Sequence, residues 1–164
     1  MDRKLWRRCR KLANDLELPE PFDPAEFVRG VAAGRNRPIE LLPARAVVGG
    51  PCGLVMSTDR ADYILLPANT SALHRQHILL HEIGHLVCGH SGGGAVDVGA
   101  LLPTLSPELV QRVLGRSVYT EVQEQEAELL ATLVAHRAAR GHDPAAAGNV
   151  RVSRGLALVE RWFG

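Results

Sequence analysis

Residues 71–89 read SALHRQHILLHEIGHLVCG, and they contain the most informative segment of the sequence. Its apolar residues and histidines recur at spacings of three and four, which predicts a helix that begins near Ser71 and ends at Gly89. Within it, residues 81–85 form the pattern His-Glu-x-x-His. Residues four apart lie on the same face of a helix, so both imidazoles of this pattern can reach one metal ion.

The chemistry of this pattern favours zinc. Imidazole nitrogens suit Zn²⁺ better than they suit harder ions, and the predicted ligands are His81 and His85. Glu82 follows the first histidine directly, so we expect it to stay off the metal and to act as general base and proton shuttle for an attacking water. The alternative interpretation is a helix with two hydrogen-bonded core histidines and a surface glutamate.

A catalytic zinc needs a third protein ligand and one open position. The long helix predicted over about 119–140 offers four glutamates, which are Glu121, Glu124, Glu126 and Glu128. Periodicity places Glu126 inside the apolar arc of this helix, which makes it the more buried candidate. Most glutamate clusters on helices are solvated faces, so spacing alone leaves the choice between Glu124 and Glu126 open.

Between the first helices and the His-Glu-x-x-His helix, the sequence predicts strands. Residues 39–42 and 46–48 are short apolar runs separated by Pro43, and Gly53–Thr58 and Asp62–Leu66 are two runs joined by a turn. The last two are typical of a hairpin. We therefore predict a small antiparallel sheet of three strands. An extended substrate is expected to add to an edge of this sheet, and Asp62–Leu66 is predicted to be that edge or its neighbour.

Helices are predicted on both sides of this core. Residues 3–17 carry one apolar stripe, and Asp23 followed by Pro24 is typical of the start of a second, short helix. Towards the C-terminus, a short helix is predicted to open at 106–108, and a last amphipathic helix over 153–162. The predicted elements thus surround the sheet with helices.

The composition is that of one globular domain, with 164 residues of which 46% are hydrophobic and 23% are charged. A formal net charge of +1 argues against a nucleic-acid coat, so direct nucleic-acid binding is not expected. Three cysteines are too few for a disulfide framework, which favours the reducing cytoplasm. No apolar run approaches the length of a transmembrane helix, so no membrane partner is expected.

Two short motifs together resemble the ImmA/IrrE family of bacterial metallopeptidases. The active helix of that family often reads HEIGH or HELGH, followed a few residues later by Gly-His, as residues 81–90 do here. A later family helix carries the pattern E-x-x-A-N-x-x-A, and residues 124–131 fit it at the first Glu and at both Ala positions. The resemblance covers the organisation of residues 37–137, although the Leu-Leu-Met-Pro that usually follows in the family is absent.

The resemblance implies further site residues and a fold. Glu124 is the implied third zinc ligand. Glu128 stands where the family has Asn or Asp and is implied to hydrogen-bond a ligating histidine. Tyr119, just before the ligand helix, is a candidate donor to a developing oxyanion, as in related zinc peptidases. The implied architecture is α+β, with a small three-stranded antiparallel sheet packed on a mainly helical, zincin-like domain.

The implied function is zinc-dependent hydrolysis of a peptide bond in a specific protein partner. Members of the family often cleave a helix-turn-helix transcriptional repressor, so such a regulator is the expected substrate. Residues 1–164 are expected to form one domain with a core over about 37–140 and flanking helices over 1–34 and 150–164. The alternative, which Glu128 and the missing Leu-Leu-Met-Pro suggest, is a catalytically dormant zinc-binding module for regulation or protein interaction.

Overall fold

The structure, a computed structural model, describes residues 2–44, 53–58, 60–90 and 119–141. Its helices are α1 (Arg3–Asp15), α2 (Pro24–Gly34), α3 (Ala72–Cys88) and α4 (Glu121–Gly141), and its strands are β1 (Ile39–Ala44), β2 (Leu54–Ser57) and β3 (Asp62–Pro67). The architecture is α+β with a small three-stranded sheet. None of the described helices is long and apolar enough to span a membrane. The strand predicted at 46–48 and the helices predicted at 106–108 and 153–162 lie outside the described residues.

The helix ends predicted from capping residues are confirmed. The carboxylate of Asp23 accepts a hydrogen bond from the backbone of Glu26 at the start of α2, which carries Pro24 in its first turn. The hydroxyl of Ser71 caps α3 in the same way. At the other end of α3, Gly89 adopts a left-handed conformation with φ 69°, which glycine reaches without steric penalty.

The sheet is mixed, so the prediction of a purely antiparallel sheet is wrong. β2 and β3 form the predicted antiparallel pair, whereas β1 runs parallel to β3, and the strand order is β1-β3-β2. A parallel pair needs a long connection between its strands, and β2 lies between β1 and β3 in the sequence. β3 is therefore the central strand of the sheet, so it is the neighbour of an edge and not an edge itself.

Pro43 lies inside β1, although it was predicted to interrupt the strand. It stands opposite Leu66 of β3, and the pairing continues to Ala44. β1 is an edge strand of the described sheet, and an edge strand tolerates proline because the missing N–H can face away from the ladder. The chain therefore continues as one strand through Pro43, where a break was predicted.

Helix α3 lies between the sheet and α4, and α1 packs on the outer part of α4. The core that joins these layers is mainly aliphatic, and its deeply buried members include Phe27, Ile64, Ile83, Leu130 and Val134. Burial of each such side chain stabilises the fold by about 1.5–3 kcal/mol relative to exposure. The helix that carries the His-Glu-x-x-His pattern is therefore held on two sides.

A buried carboxylate fixes the C-terminal end of α3. Asp62 at the start of β3 accepts hydrogen bonds from Arg37 Nε at 2.9 Å and from Arg35 Nη2 at 3.1 Å. Arg35 Nη1 also donates to the carbonyl oxygen of Leu86 at 2.7 Å, in the last turn of α3. Although burial alone would raise the pKa of Asp62, hydrogen bonds from Ser57 and from the two arginines lower it. Asp62 therefore stays ionised and joins α2, β3 and α3.

Candidate metal centre

Helices α3 and α4 are in close contact at Gly84. A Cβ atom added there would lie 3.0 Å from the carbonyl oxygen and 3.1 Å from the Cα of Ala127. The absence of a side chain at this position lets the backbones of the two helices meet. This contact brings the first turns of α4 over the His-Glu-x-x-His segment of α3.

We expect Gly84→Val to destabilise the fold by about 1–3 kcal/mol, because its side chain overpacks the contact and must push α4 away from α3. Urea unfolding measures this difference. The matched control is Gly30→Val in α2, because a Cβ at Gly30 meets nothing within 4 Å. Equal unfolding midpoints for the two variants would contradict the assigned role of Gly84.

Three potential ligand atoms meet beside this contact. His81 Nε2 lies 3.1 Å from His85 Nε2 and 3.1 Å from Glu124 Oε2. His85 Nε2 lies 3.8 Å from Glu124 Oε2. Ligand atoms bound at about 2.0–2.1 Å to one tetrahedral zinc ion are about 3.4 Å apart. The observed separations fit that value, so these three side chains can hold one metal ion.

The two imidazoles differ in how readily they take up a proton. Burial and the charges of His81 and His90 lower the pKa of His85 to about 3, so its ring is neutral at pH 7. Burial also favours the neutral form of His81, but its hydrogen bond with Glu128 and the charges of the neighbouring glutamates raise its pKa. A proton therefore competes with a metal ion more strongly for the ring of His81 than for that of His85.

Glu128 faces the second nitrogen of His81. Its Oε2 lies 3.3 Å from His81 Nδ1 and 3.2 Å from His77 Nε2. The hydrogen bond with His81 is the main reason that the pKa of Glu128 is lowered in spite of burial. A charged carboxylate at this place can hold the Nδ1 proton of His81 and leave Nε2 for a ligand.

Glu126 is buried, as its position in the apolar arc predicted, but it points to a different part of the molecule. Its Oε1 lies 3.0 Å from Arg8 Nη1, and its Oε2 lies 3.0 Å from His90 Nε2. Glu124, whose side chain is 48% exposed, is the glutamate that meets the two imidazoles. Burial did not distinguish the candidate ligand Glu124 from Glu126, because a ligand at an accessible cleft remains partly exposed.

Glu82 lines the same cavity as the three ligand atoms. The residue is only 5% exposed, and its Oε2 has no hydrogen-bond partner among the described residues. Burial raises the pKa of Glu82 to about 7; the charge of His81 opposes this and that of Glu124 adds to it. A carboxyl group with such a pKa can both accept and return a proton near neutral pH.

Gly53 leaves the space that Glu82 occupies, and the sequence analysis did not identify it. A Cβ at Gly53 would lie 2.6 Å from Glu82 Oε1 and 2.6 Å from Ile78 Cγ2. The start of β2 therefore passes directly over Glu82, and Gly53 and Leu54 line the cavity. The only trace of this role in the sequence is a glycine just before a strand.

Tyr119 packs against the ring of His85. The ring centroids are 3.6 Å apart and the planes are inclined by 12°, which is a stacked arrangement. Tyr119 also lines the cavity of about 370 Å³ beside the ligand atoms. The stack holds one face of His85, and donation by the tyrosine hydroxyl to an oxyanion stays a prediction.

Cys88 and His90 follow His85 in the chain and stand outside the cluster of His81, His85 and Glu124. Cys88 is half-buried, and burial together with the charge of Glu126 raises the pKa of its thiol to about 12. His90 Nδ1 lies 3.0 Å from His85 Nδ1, and helical spacing does not indicate this contact because His90 lies beyond the end of α3. His90 thus lies next to a candidate ligand, and neither side chain joins the three-atom cluster.

The arrangement joins two imidazole nitrogens, a carboxylate oxygen and a buried, proton-accepting carboxyl group in one accessible cleft. Such a set can bind a divalent ion and assist the attack of water on a polarised carbonyl group. The described geometry is the basis for this interpretation. Comparisons with protein families, with curated proteins and with solved structures found no match to this chain.

Proposed function

We propose that this chain is a zinc-dependent endopeptidase of the ImmA/IrrE type, with a zincin-like fold, that hydrolyses a peptide bond in a specific protein partner. The main support is that His81 Nε2, His85 Nε2 and Glu124 Oε2 lie within 4.8 Å of one another. Two imidazole nitrogens and one carboxylate oxygen form a donor set that catalytic zinc sites use. Three protein ligands leave one position open for water or substrate.

The residues around this centre supply the proton transfers and the positioning. When bound, zinc would polarise the scissile carbonyl group and lower the pKa of a water molecule towards about 7. Glu82 takes a proton from the attacking water and passes it to the leaving amine. Tyr119 donates a hydrogen bond to the developing oxyanion.

An extended segment of the substrate binds along β2 in this proposal. β2 is the edge strand of the described sheet that borders the cavity, through Gly53 and Leu54. A peptide that adds to this edge gains main-chain hydrogen bonds and passes over Glu82. This arrangement supports selection of an unfolded or extended stretch in a folded partner.

The proposed partner is a helix-turn-helix transcriptional repressor in the cytoplasm. The resemblance of residues 81–90 and 124–131 to the family motifs supports this substrate class. The net charge of +1 gives little electrostatic basis for direct DNA binding, so regulation would act through the repressor. Loss of the repressor would switch on the genes that it controls.

The test is incubation of the zinc-loaded chain with the helix-turn-helix regulator encoded beside its gene. We expect discrete fragments by mass spectrometry, loss of cleavage on chelation, and recovery when zinc is restored. The second candidate is the dormant zinc-binding module, which the extra carboxylate of Glu128 beside His81 favours. A regulator that binds the zinc-loaded chain and the Glu82→Gln variant equally well, and is never cut, would support that candidate and contradict proteolysis.

A further inference from the structure

A line of three side chains connects His85 to the first helix. His85 Nδ1 lies 3.0 Å from His90 Nδ1, and His90 Nε2 lies 3.0 Å from Glu126 Oε2. Arg8 of α1 donates from Nη1 to Glu126 Oε2 at 3.3 Å, and the same nitrogen lies 3.0 Å from Oε1 as an ion pair. We refer to His90, Glu126 and Arg8 as the positioning chain. It begins at the nitrogen of His85 that faces away from the three-atom cluster.

Hydrogen-bond chemistry gives the positioning chain a direction. A carboxylate paired with an arginine can only accept, so a neutral His90 must carry its proton on Nε2. Its Nδ1 is then an acceptor, and the contact between the two Nδ1 atoms requires His85 to be the donor. With its proton on Nδ1, His85 presents a lone pair at Nε2, the atom that lies 3.1 Å from His81 Nε2.

The placement of these protons matters because the side chains that share them are buried. The side chains of His85, His90 and Glu126 are 1%, 5% and 5% exposed, so bulk water cannot replace a lost partner. A buried donor or acceptor without a partner destabilises the arrangement that contains it. His81 is different, because its Nδ1 partner Glu128 is 53% exposed and water can reach that contact. His85 is therefore the imidazole whose tautomer depends on protein groups.

We propose that His90 and Glu126, held by Arg8, are positioning residues that set the tautomer and the ring orientation of His85 for metal binding. The inference rests on the proposed zinc site and adds to it a requirement for three residues outside the ligand set. Hydrogen-bond partners of ligating histidines typically contribute about 10–100-fold to metal affinity. The positioning chain also makes α1 part of the site, because Arg8 neutralises the buried carboxylate.

The same region can be read as a second metal site, because ligand atoms of Cys88, His90 and Glu126 lie within 4.8 Å of one another. The positioning chain explains these contacts without a metal ion. Both nitrogens of His90 already have partners, and Glu126 is already paired with Arg8. A metal ion here would have to displace the proton of His90 Nε2 from the carboxylate.

The test compares His90→Asn with His90→Leu in the full chain. The amide oxygen of Asn can accept the Nδ1 proton of His85, whereas Leu fills similar space without an acceptor. We expect His90→Leu to weaken zinc binding by about 10–100-fold in chelator competition, and His90→Asn to restore most of the loss. In the metal-free chain, nitrogen-15 NMR should find His85 protonated at Nδ1 in the wild type and in His90→Asn, and a mixture of tautomers in His90→Leu.

A control variant and the wild-type chain separate the outcomes. Cys88→Ser should leave zinc affinity and stoichiometry unchanged, and a second zinc equivalent that this variant loses would overturn the positioning role. Wild-type affinity and an unchanged His85 tautomer in His90→Leu would overturn it as well. A wild-type chain that binds no zinc would contradict the proposed function instead, and the NMR comparison would still decide whether His90 sets the tautomer of His85.

Discussion

Glu82→Gln is expected to lower kcat for peptide cleavage by about 10²–10⁴-fold, while zinc stays bound at the wild-type stoichiometry. The amide has the shape of the carboxyl group but cannot take a proton from water and return it to the leaving amine. Glu82 is not one of the three clustered ligand side chains, so the exchange leaves the ligand set intact. Cleavage kinetics and zinc analysis of the same preparation measure both parts.

Stability separates this catalytic role from a structural one. Glu82 is 5% exposed and its Oε2 has no hydrogen-bond partner in the described parts of the chain. A neutral amide is less costly to bury than a carboxylate, so Glu82→Gln is expected to be as stable as the wild type or more stable. A residue that is buried at a cost in stability and is needed for activity is typical of an active site.

The pH dependence of cleavage also tests the role of Glu82 in proton transfer. Burial raises the pKa of Glu82 to about 7, mainly by disfavouring its charged form. A bound divalent cation lowers this pKa, so kcat/KM should rise with pH through a value at or below about 7. The residual activity of Glu82→Gln should lack this acid limb.

The matched control is Glu121→Gln, because Glu121 is an exposed glutamate at the start of α4. It should keep the wild-type rate and the wild-type pH profile. Cleavage by Glu82→Gln at the wild-type rate would show that another group transfers the proton. Loss of zinc from Glu82→Gln would show that this side chain supports the metal centre and not the proton transfer.

The parts of this molecule that could be predicted from sequence are those encoded by local spacing. His81 and His85 share a helix face because they are four residues apart, and that helix is capped by the hydroxyl of Ser71 and by the left-handed backbone of Gly89. Only the family pattern indicated Glu124 as the third ligand, because periodicity favoured Glu126. Local spacing says which face a residue occupies, but not which distant element covers that face.

The parts that could not be predicted are contacts across long stretches of chain. Arg8 and Glu126 are 118 residues apart, and neither sequence position indicates the other. The parallel pairing of β1 with β3 depends on packing in the same way, since the apolar runs alone are equally compatible with an antiparallel sheet. Gly53 above Glu82 and Gly84 against Ala127 are further cases, because a glycine indicates available space but not what fills it.

Alanine at His81, at His85 or at Glu124 is expected to lower zinc affinity by more than the roughly 10–100-fold that the loss of a supporting hydrogen bond costs. Each change removes one of the three atoms that share the centre, and a metal ion with two protein ligands is easily lost to a chelator. The smallest effect is expected at Glu124, because its side chain is 48% exposed and water can take its place. The amount of zinc that each chain retains after dialysis against a chelator ranks the three variants.

Thermal unfolding reports the same loss independently of catalysis. A ligand present at 1,000 times its dissociation constant stabilises the folded state by about 4 kcal/mol. Zinc should therefore raise the Tm of the wild type, and it should raise the Tm of the three variants much less.

Zinc binding should also weaken as pH falls, because the raised pKa of His81 means that a proton competes for its ring. His136→Ala is the matched control, since this histidine lies about three helical turns beyond Glu124 on α4. If His81→Ala and His136→Ala retained equal amounts of zinc, the two imidazoles one turn apart on α3 would not be ligands of a common ion.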